Sequence, residues 1–289
     1  MSEQFAERTI HLPGEGVDLA VRHYPGDGPT LLAVHGWLDN LASFHRLAPL
    51  LPGYEIIAID LPGHGRSSPL PGRNYMHAAY NACLAELIRV LDRPDLWLMG
   101  HSMGGGICTM VAGTLPAGIR GLILLDSLGP LETRDERFPE LMGNYLQALA
   151  DQKQTEPRIY GSVEEAVASR MRSFRHQVSA EGSRLIVERA LSPVDGGWSW
   201  HTDERIILPQ QMLMTPDQVR SVMQAIAVPV LMVKATRRNS RRPYPFERRL
   251  GWIGRLQMAE VAGNHHAHLD VPDLVSDPVL EFLNKHRQG

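Results

Sequence analysis

Seven short runs of consecutive apolar residues recur along the chain, at 17–24, 30–35, 54–60, 95–101, 121–126, 228–234 and 255–261. Such runs lack the alternation of a strand wetted on one face, so they predict strands covered on both faces in a largely parallel sheet. Between them the apolar positions change period. Residues 76–91, with Ala79, Cys83, Leu84, Leu87 and Leu91, and residues 103–115 repeat every three to four positions and predict helices packed on that sheet. The predicted class is α/β, with the helices as crossovers.

The strand pattern stops between about Gly129 and Ala227, where charged helical segments are predicted at 135–153, 163–174, 181–191 and 216–226. A helical insertion between two sheet strands predicts a lid, residues 129–227, on a core formed by residues 1–128 and 228–289. It would lie over the carboxyl edge of the sheet, where open α/β sheets bind their ligands.

Composition then removes several function classes. The 289 residues are 43% apolar and 21% charged with a net charge of −3, so no global field draws the chain onto nucleic acid or an anionic membrane. No apolar run of about 18 residues predicts a membrane span, and the charges at Glu3, Glu7 and Arg8 interrupt any secretory apolar stretch. Cys83 and Cys108 both fall inside predicted helices, so no disulfide framework is implied and a cytoplasmic location is expected. The expected partner is a small molecule, with no cofactor and no metal. Oligomeric state is not legible.

The chemistry concentrates in three segments. Gly100-His-Ser-Met-Gly104 follows a predicted strand and opens a predicted helix, the strand–turn–helix context of a nucleophile elbow. A sharp turn that lifts Ser102 above the sheet needs small neighbours, which Gly100 and Gly104 provide. A serine nucleophile also needs two backbone N–H groups aimed at the developing oxyanion, and Met103 and Trp37 are placed to supply them. Beside Trp37, His35 and Asp39 are expected to be structural. In the third segment, Gly263 to Asp270, one of His265, His266 and His268 is expected to be the general base. The same histidines have metal-ligand spacing, but no carboxylate cluster elsewhere supports a metal site.

Taken in order, HGWLDN, DLPGHGRSS, GHSMGG, LILLDS, GWSWHTDER and GNHHAHLD resemble the α/β-hydrolase superfamily over essentially the whole chain, and within it the serine hydrolase-like proteins. The resemblance implies a mostly parallel eight-stranded sheet with an inserted helical lid. It places the base on His265, with His268 at a later, non-catalytic position and His266 as an additional histidine. Most relatives carry the third triad member just after the strand at 229–234, where this chain reads Ala-Thr-Arg-Arg-Asn-Ser and has no carboxylate until Glu247. A minority take the acid from the end of the preceding strand, which implies Asp126 here. Asp270 is expected to cap the helix that follows it.

The expected activity is cofactor-free hydrolysis of a carboxylic ester, thioester or lactone through an acyl-enzyme. Met142, Tyr145, Trp198 and Trp200 are candidate pocket residues, with Met171, Phe174, Met212 and Met214 as further apolar candidates. One alternative is a C–C bond hydrolase of a diketone-like acid, whose carboxylate the six arginines between Arg237 and Arg249 would grip. Another is a catalytically silent ligand-binding protein, suggested by the missing acid.

Overall fold

A computed structural model of the protein describes residues 6–72, 75–152, 158–172, 178–237 and 245–287. Strands β1 (Glu7–Leu12), β2 (Val17–Tyr24), β3 (Thr30–Val34) and β4 (Glu55–Ile59) precede helix α1 (His77–Leu91), and β5 (Leu96–His101), α2 (Met103–Thr114) and β6 (Ile119–Leu125) follow it. The inserted segment comes next, with α3 (Phe138–Gln152), α4 (Val163–Met171), α5 (Ala180–Ala190), the strands β7 (Leu191–Val194) and β8 (Gly197–Trp200), and α6 (Pro216–Gln224). The chain then returns to the sheet through β9 (Val230–Ala235), α7 (Phe246–Arg249), β10 (Leu256–Val261), α8 (Ala267–Asp270) and α9 (Pro272–His286).

Eight strands form one sheet in the order β1-β2-β4-β3-β5-β6-β9-β10. Every pair from β4 to β10 is parallel, and β2 runs antiparallel to both β1 and β4. Because side chains on a strand alternate between faces, a continuous apolar run fills two cores at once. On β3, Leu32 and Val34 enter one buried cluster while Leu31 and Ala33 enter the other; Val230 and Met232 part from Leu231 and Val233 on β9 in the same way. Helices α1, α2 and α6 cover the first face through Cys83, Leu87, Ile107, Val111, Val219 and Met223. Helix α9 covers the second through Val275, Val279, Phe282 and Leu283. Each such side chain contributes about 1.5–3 kcal/mol relative to leaving it in water, which holds the strand ends where a site can be built.

Two elements escape the apolar pattern. Strand β1 is an edge strand with Glu7, Arg8 and Thr9 exposed, so it carries no apolar run. The β7–β8 hairpin turns at Asp195-Gly196 with Gly196 at φ +83°, the Asp-Gly signal of a tight hairpin that the helical reading of the insertion passes over. Among the described residues no helix is long and apolar enough to cross a membrane.

Candidate active site

Strands β3, β5 and β6 are neighbours and end at the same edge of the sheet, with Val34 paired to Gly100 and His101 to Leu125. The residues just past those ends are therefore brought together whatever their distance in sequence. Ser102 sits between β5 and α2 with φ +50°, a left-handed conformation that a non-glycine residue adopts only when its surroundings hold it. Its amide donates to Leu125 O at 3.2 Å and its carbonyl accepts from Gly106 N at 3.1 Å. The two glycines of the motif are steric requirements. A Cβ on Gly104 would stand 2.1 Å from Val34 O, and one on Gly100 would stand 2.5 Å from Gly104 O.

Asp126 follows β6, also with positive φ (+47°), and its amide donates to Val233 O at 2.8 Å. Its Oδ1 accepts from Ala235 N at 3.2 Å, which turns Oδ2 toward His265 Nδ1 at 2.5 Å. Across the ring, His265 Nε2 lies 2.9 Å from Ser102 Oγ. With the ring proton on Nδ1, shared with Asp126, Nε2 is left to accept the Ser102 hydroxyl proton. Glu247, the other candidate acid, is exposed on α7. Asp270 does not cap the helix after it: its carboxylate accepts from Ser179 N and Oγ, the latter at 2.6 Å, and so fixes the start of α5.

The three histidines after β10 have separate places. His265 is partly open, with its side chain 18% exposed, whereas His266 and His268 are buried. His266 Nε2 donates to Asp39 Oδ2 at 3.1 Å. His101 donates from Nε2 to the His265 carbonyl at 2.9 Å and turns Nδ1 toward Asp39 Oδ2 at 3.3 Å. Asp39 is thus not a simple turn residue. Burial works against its charge, but His266, His101 and the Arg170 guanidinium together hold its carboxyl well below the usual range. Asp39, His101 and His266 each offer a ligand atom within 4.8 Å of the others, the donor types of a small metal centre. Arg170 already neutralises the carboxylate, so a divalent ion would be a second buried cation beside a guanidinium. A hydrogen-bonded network accounts for these groups with less buried charge.

The turn after β3 is held by two more buried histidines. His35 donates from Nδ1 to Gly36 O and accepts at Nε2 from Leu61 N at 2.9 Å. His64 donates from Nδ1 to Pro62 O and accepts at Nε2 from Leu38 N at 3.3 Å. A ring nitrogen that accepts a backbone N–H cannot carry a proton, so both imidazoles must be neutral. Burial pushes them the same way, to about 4 for His35 and about 3 for His64. Trp37 lies within this turn, and Met103 opens α2, where the first amides of a helix have no acceptor inside it. Trp37 thus follows β3 and Met103 follows β5, two strands that pair directly.

The remaining sequence candidates fall elsewhere. Trp198 and Trp200 pack on Tyr160, Val167, Val187 and Leu191 in the insertion's own apolar cluster, and Trp200 Nε1 donates to Tyr160 Oη at 3.0 Å. Tyr145 is buried beside a small cavity shared with Tyr75, Arg205 and Leu208, and Met142 is half-buried on α3. Met171 and Met212 are exposed, Met214 packs against the main core, and Phe174 lies outside the described residues. Of the arginine segment, 238–244 also lies outside them. Arg249 is fully buried, donating to Leu128 O at 2.7 Å and Glu132 Oε2 at 2.6 Å, and Arg248 pairs with the same Glu132. Both serve the fold.

A family model described as the alpha/beta hydrolase fold matches residues 29–237. A serine hydrolase-like protein of Danio rerio is 30% identical over 274 residues, which cover 90% of this chain and 82% of that protein. A hypothetical protein of Pseudomonas aeruginosa PAO1, of known crystal structure, superimposes with a TM-score of 0.88 at 32% identity, covering 96% of this chain and 98% of that one. The thioesterase domain from the curacin biosynthetic pathway shares the fold, with a TM-score of 0.83 at 24% identity over 96% of this chain and 99% of that one.

Proposed function

This chain belongs to the α/β hydrolase fold family, among the serine hydrolase-like proteins, and on that premise we propose that it hydrolyses a carboxylic ester through an acyl-enzyme on Ser102. The observation that carries the reading is the hydrogen-bonded series Ser102 Oγ, His265 Nε2, His265 Nδ1, Asp126 Oδ2, with links of 2.9 and 2.5 Å. In this reading His265 takes the Ser102 proton as Oγ attacks the carbonyl carbon, then returns it to the leaving alcohol. Asp126 keeps His265 in the Nδ1–H tautomer and stabilises the imidazolium. The amides of Trp37 and Met103 receive the oxyanion, and water repeats the sequence on the acyl-enzyme.

The inserted segment, residues 129–227, is the lid of this site. A thioester is the nearest alternative bond, since the same attack and the same oxyanion serve it. The silent-receptor reading rested on a missing acid, and a carboxylate within hydrogen-bonding distance of His265 removes its motive. The C–C hydrolase reading asks six arginines to grip a substrate carboxylate, and two of them, Arg248 and Arg249, are committed to Glu132. The test is labelling of Ser102 by a fluorophosphonate probe, followed by a panel of chromogenic acyl esters and thioesters of increasing chain length. Labelled Ser102 with saturable ester turnover is expected. An unlabelled, folded protein that turns over no acyl substrate would overturn the reading.

A further inference from the structure

The turn that carries Trp37 is held in part by the inserted segment. Asp39 N donates to Gly36 O at 3.2 Å, closing a four-residue turn with Leu38 at φ +58°. Positive φ at the third position is the mark of a type II turn, which asks for glycine there; Leu38 needs external support to stay in it. One support comes from the core, His64 Nε2 on Leu38 N. The others come from the insertion. Arg170, buried on α4, donates from Nη1 to Leu38 O at 2.9 Å and from Nη2 to Asp39 Oδ1, across more than 130 residues of chain. The Trp37 indole donates to Ile206 O at 3.1 Å. From Asp39 the connection continues through His266 Nε2 and past His101, whose Nε2 donates to the carbonyl of His265.

We propose that Arg170 is a positioning residue for both halves of the reaction site: it fixes the Leu38 conformation that aims the Trp37 amide, and through Asp39 it fixes the loop that carries His265. This rests on the reading of Ser102 as an acyl-transfer nucleophile. The insertion then does more than cover the site, because a side chain of the lid completes the oxyanion turn. Binding of the ground-state ester makes little use of that turn, so the contribution falls on the transition state.

The experiment compares Arg170→Met and Arg170→Lys with Arg189→Met. Arg189 is the matched control: it is a buried insertion arginine that pairs with Asp60 and Glu7 and touches neither the Leu38 turn nor the His265 loop. Expected for Arg170→Met is a fall in kcat of about 10²-fold with KM changed less than threefold, on the scale of losing one oxyanion donor. Affinity for an alkyl boronic acid, whose tetrahedral adduct places an oxygen in the oxyanion site, should fall in parallel. Arg170→Lys should recover part of both, and Arg189→Met should keep kcat within threefold of wild type. Equal losses in Arg170→Met and Arg189→Met would overturn the proposal as plain loosening of the insertion. A crystal structure of Arg170→Met reads the geometry without any substrate. If Leu38 keeps its left-handed conformation and Trp37 superimposes on wild type, the proposal fails whatever the wild type hydrolyses. If Leu38 relaxes while wild type turns over no ester, Arg170 positions the turn and the hydrolase reading is the one that fails.

Discussion

Asp126 Oδ2 and His265 Nδ1 lie 2.5 Å apart although 139 residues separate them, and Asp126 is turned to this partner because its other oxygen is held by Ala235 N. Asp126 stands just past the end of β6, and the backbone at the end of β9 orients its carboxylate. Asp126→Asn keeps the shape but reverses the donor–acceptor sense, which favours the wrong tautomer of His265. A fall in kcat of about 10⁴-fold is expected, with Glu247→Gln within twofold of wild type. Steady-state kinetics on one chromogenic ester decides this; the opposite ranking would move the acid to α7.

Ser102→Ala should abolish turnover and fluorophosphonate labelling together. Removing one hydroxyl from a site already at φ +50° changes neither packing nor backbone, so the melting temperature should stay within about 2 °C of wild type. Ester turnover persisting above about one part in 10³ would mean that another group attacks the carbonyl.

His265 and His266 are adjacent in sequence and opposite in consequence. His265→Ala is expected to remove turnover and leave stability nearly intact, because that ring is partly open. His266→Ala leaves the buried Asp39 without one donor and opens a cavity, a loss of about 2 kcal/mol with turnover still measurable. Urea unfolding and kcat measured on both variants separate the two roles.

The neutral histidines under the Trp37 turn make the protein acid-labile. Below a pH of about 6.5 the unfolded chain takes up protons at these positions, while folded His35 resists until about 4 and His64 until about 3. In that window the unfolded state binds more protons, so stability falls as pH falls. From pH 7 to pH 4 His35 alone accounts for a loss on the order of 3 kcal/mol. Unfolding free energies from urea titrations at pH 7, 5.5 and 4.5 should decline steadily; a flat series would show that these rings are protonated in the folded state.

Gly104→Ala tests the elbow. The added methyl would meet the carbonyls of Val34 and His35 at 2.1 and 2.6 Å, and these belong to a central strand and its continuation that cannot yield. A loss of about 3 kcal/mol or more is expected, seen as a melting temperature lower by roughly 6–10 °C. Gly143→Ala, which meets nothing within 4 Å, should be neutral or slightly stabilising on its helix.

The amino-acid sequence by itself determined the class of fold and singled out the candidate reacting groups, because both are written in short-range patterns. Short continuous apolar runs bounded by turn residues predict strands covered on two faces, and Gly100 and Gly104 mark a turn around Ser102 too tight for a side chain. The resemblance pointed to His265 among three histidines and left Asp126 in competition with Glu247 and Asp270. No local pattern could rank those carboxylates, since the choice depends on which strand ends lie side by side. Tertiary structure separates them by proximity: the order β5-β6-β9 brings Asp126 within hydrogen-bonding distance of His265. It also decided what no motif announced: Arg170 of the insertion reaches Asp39, and Asp39 reaches His266. Buried charges must find partners wherever packing places them, so such pairs are fixed by the sum of all contacts and carry no signature near either residue.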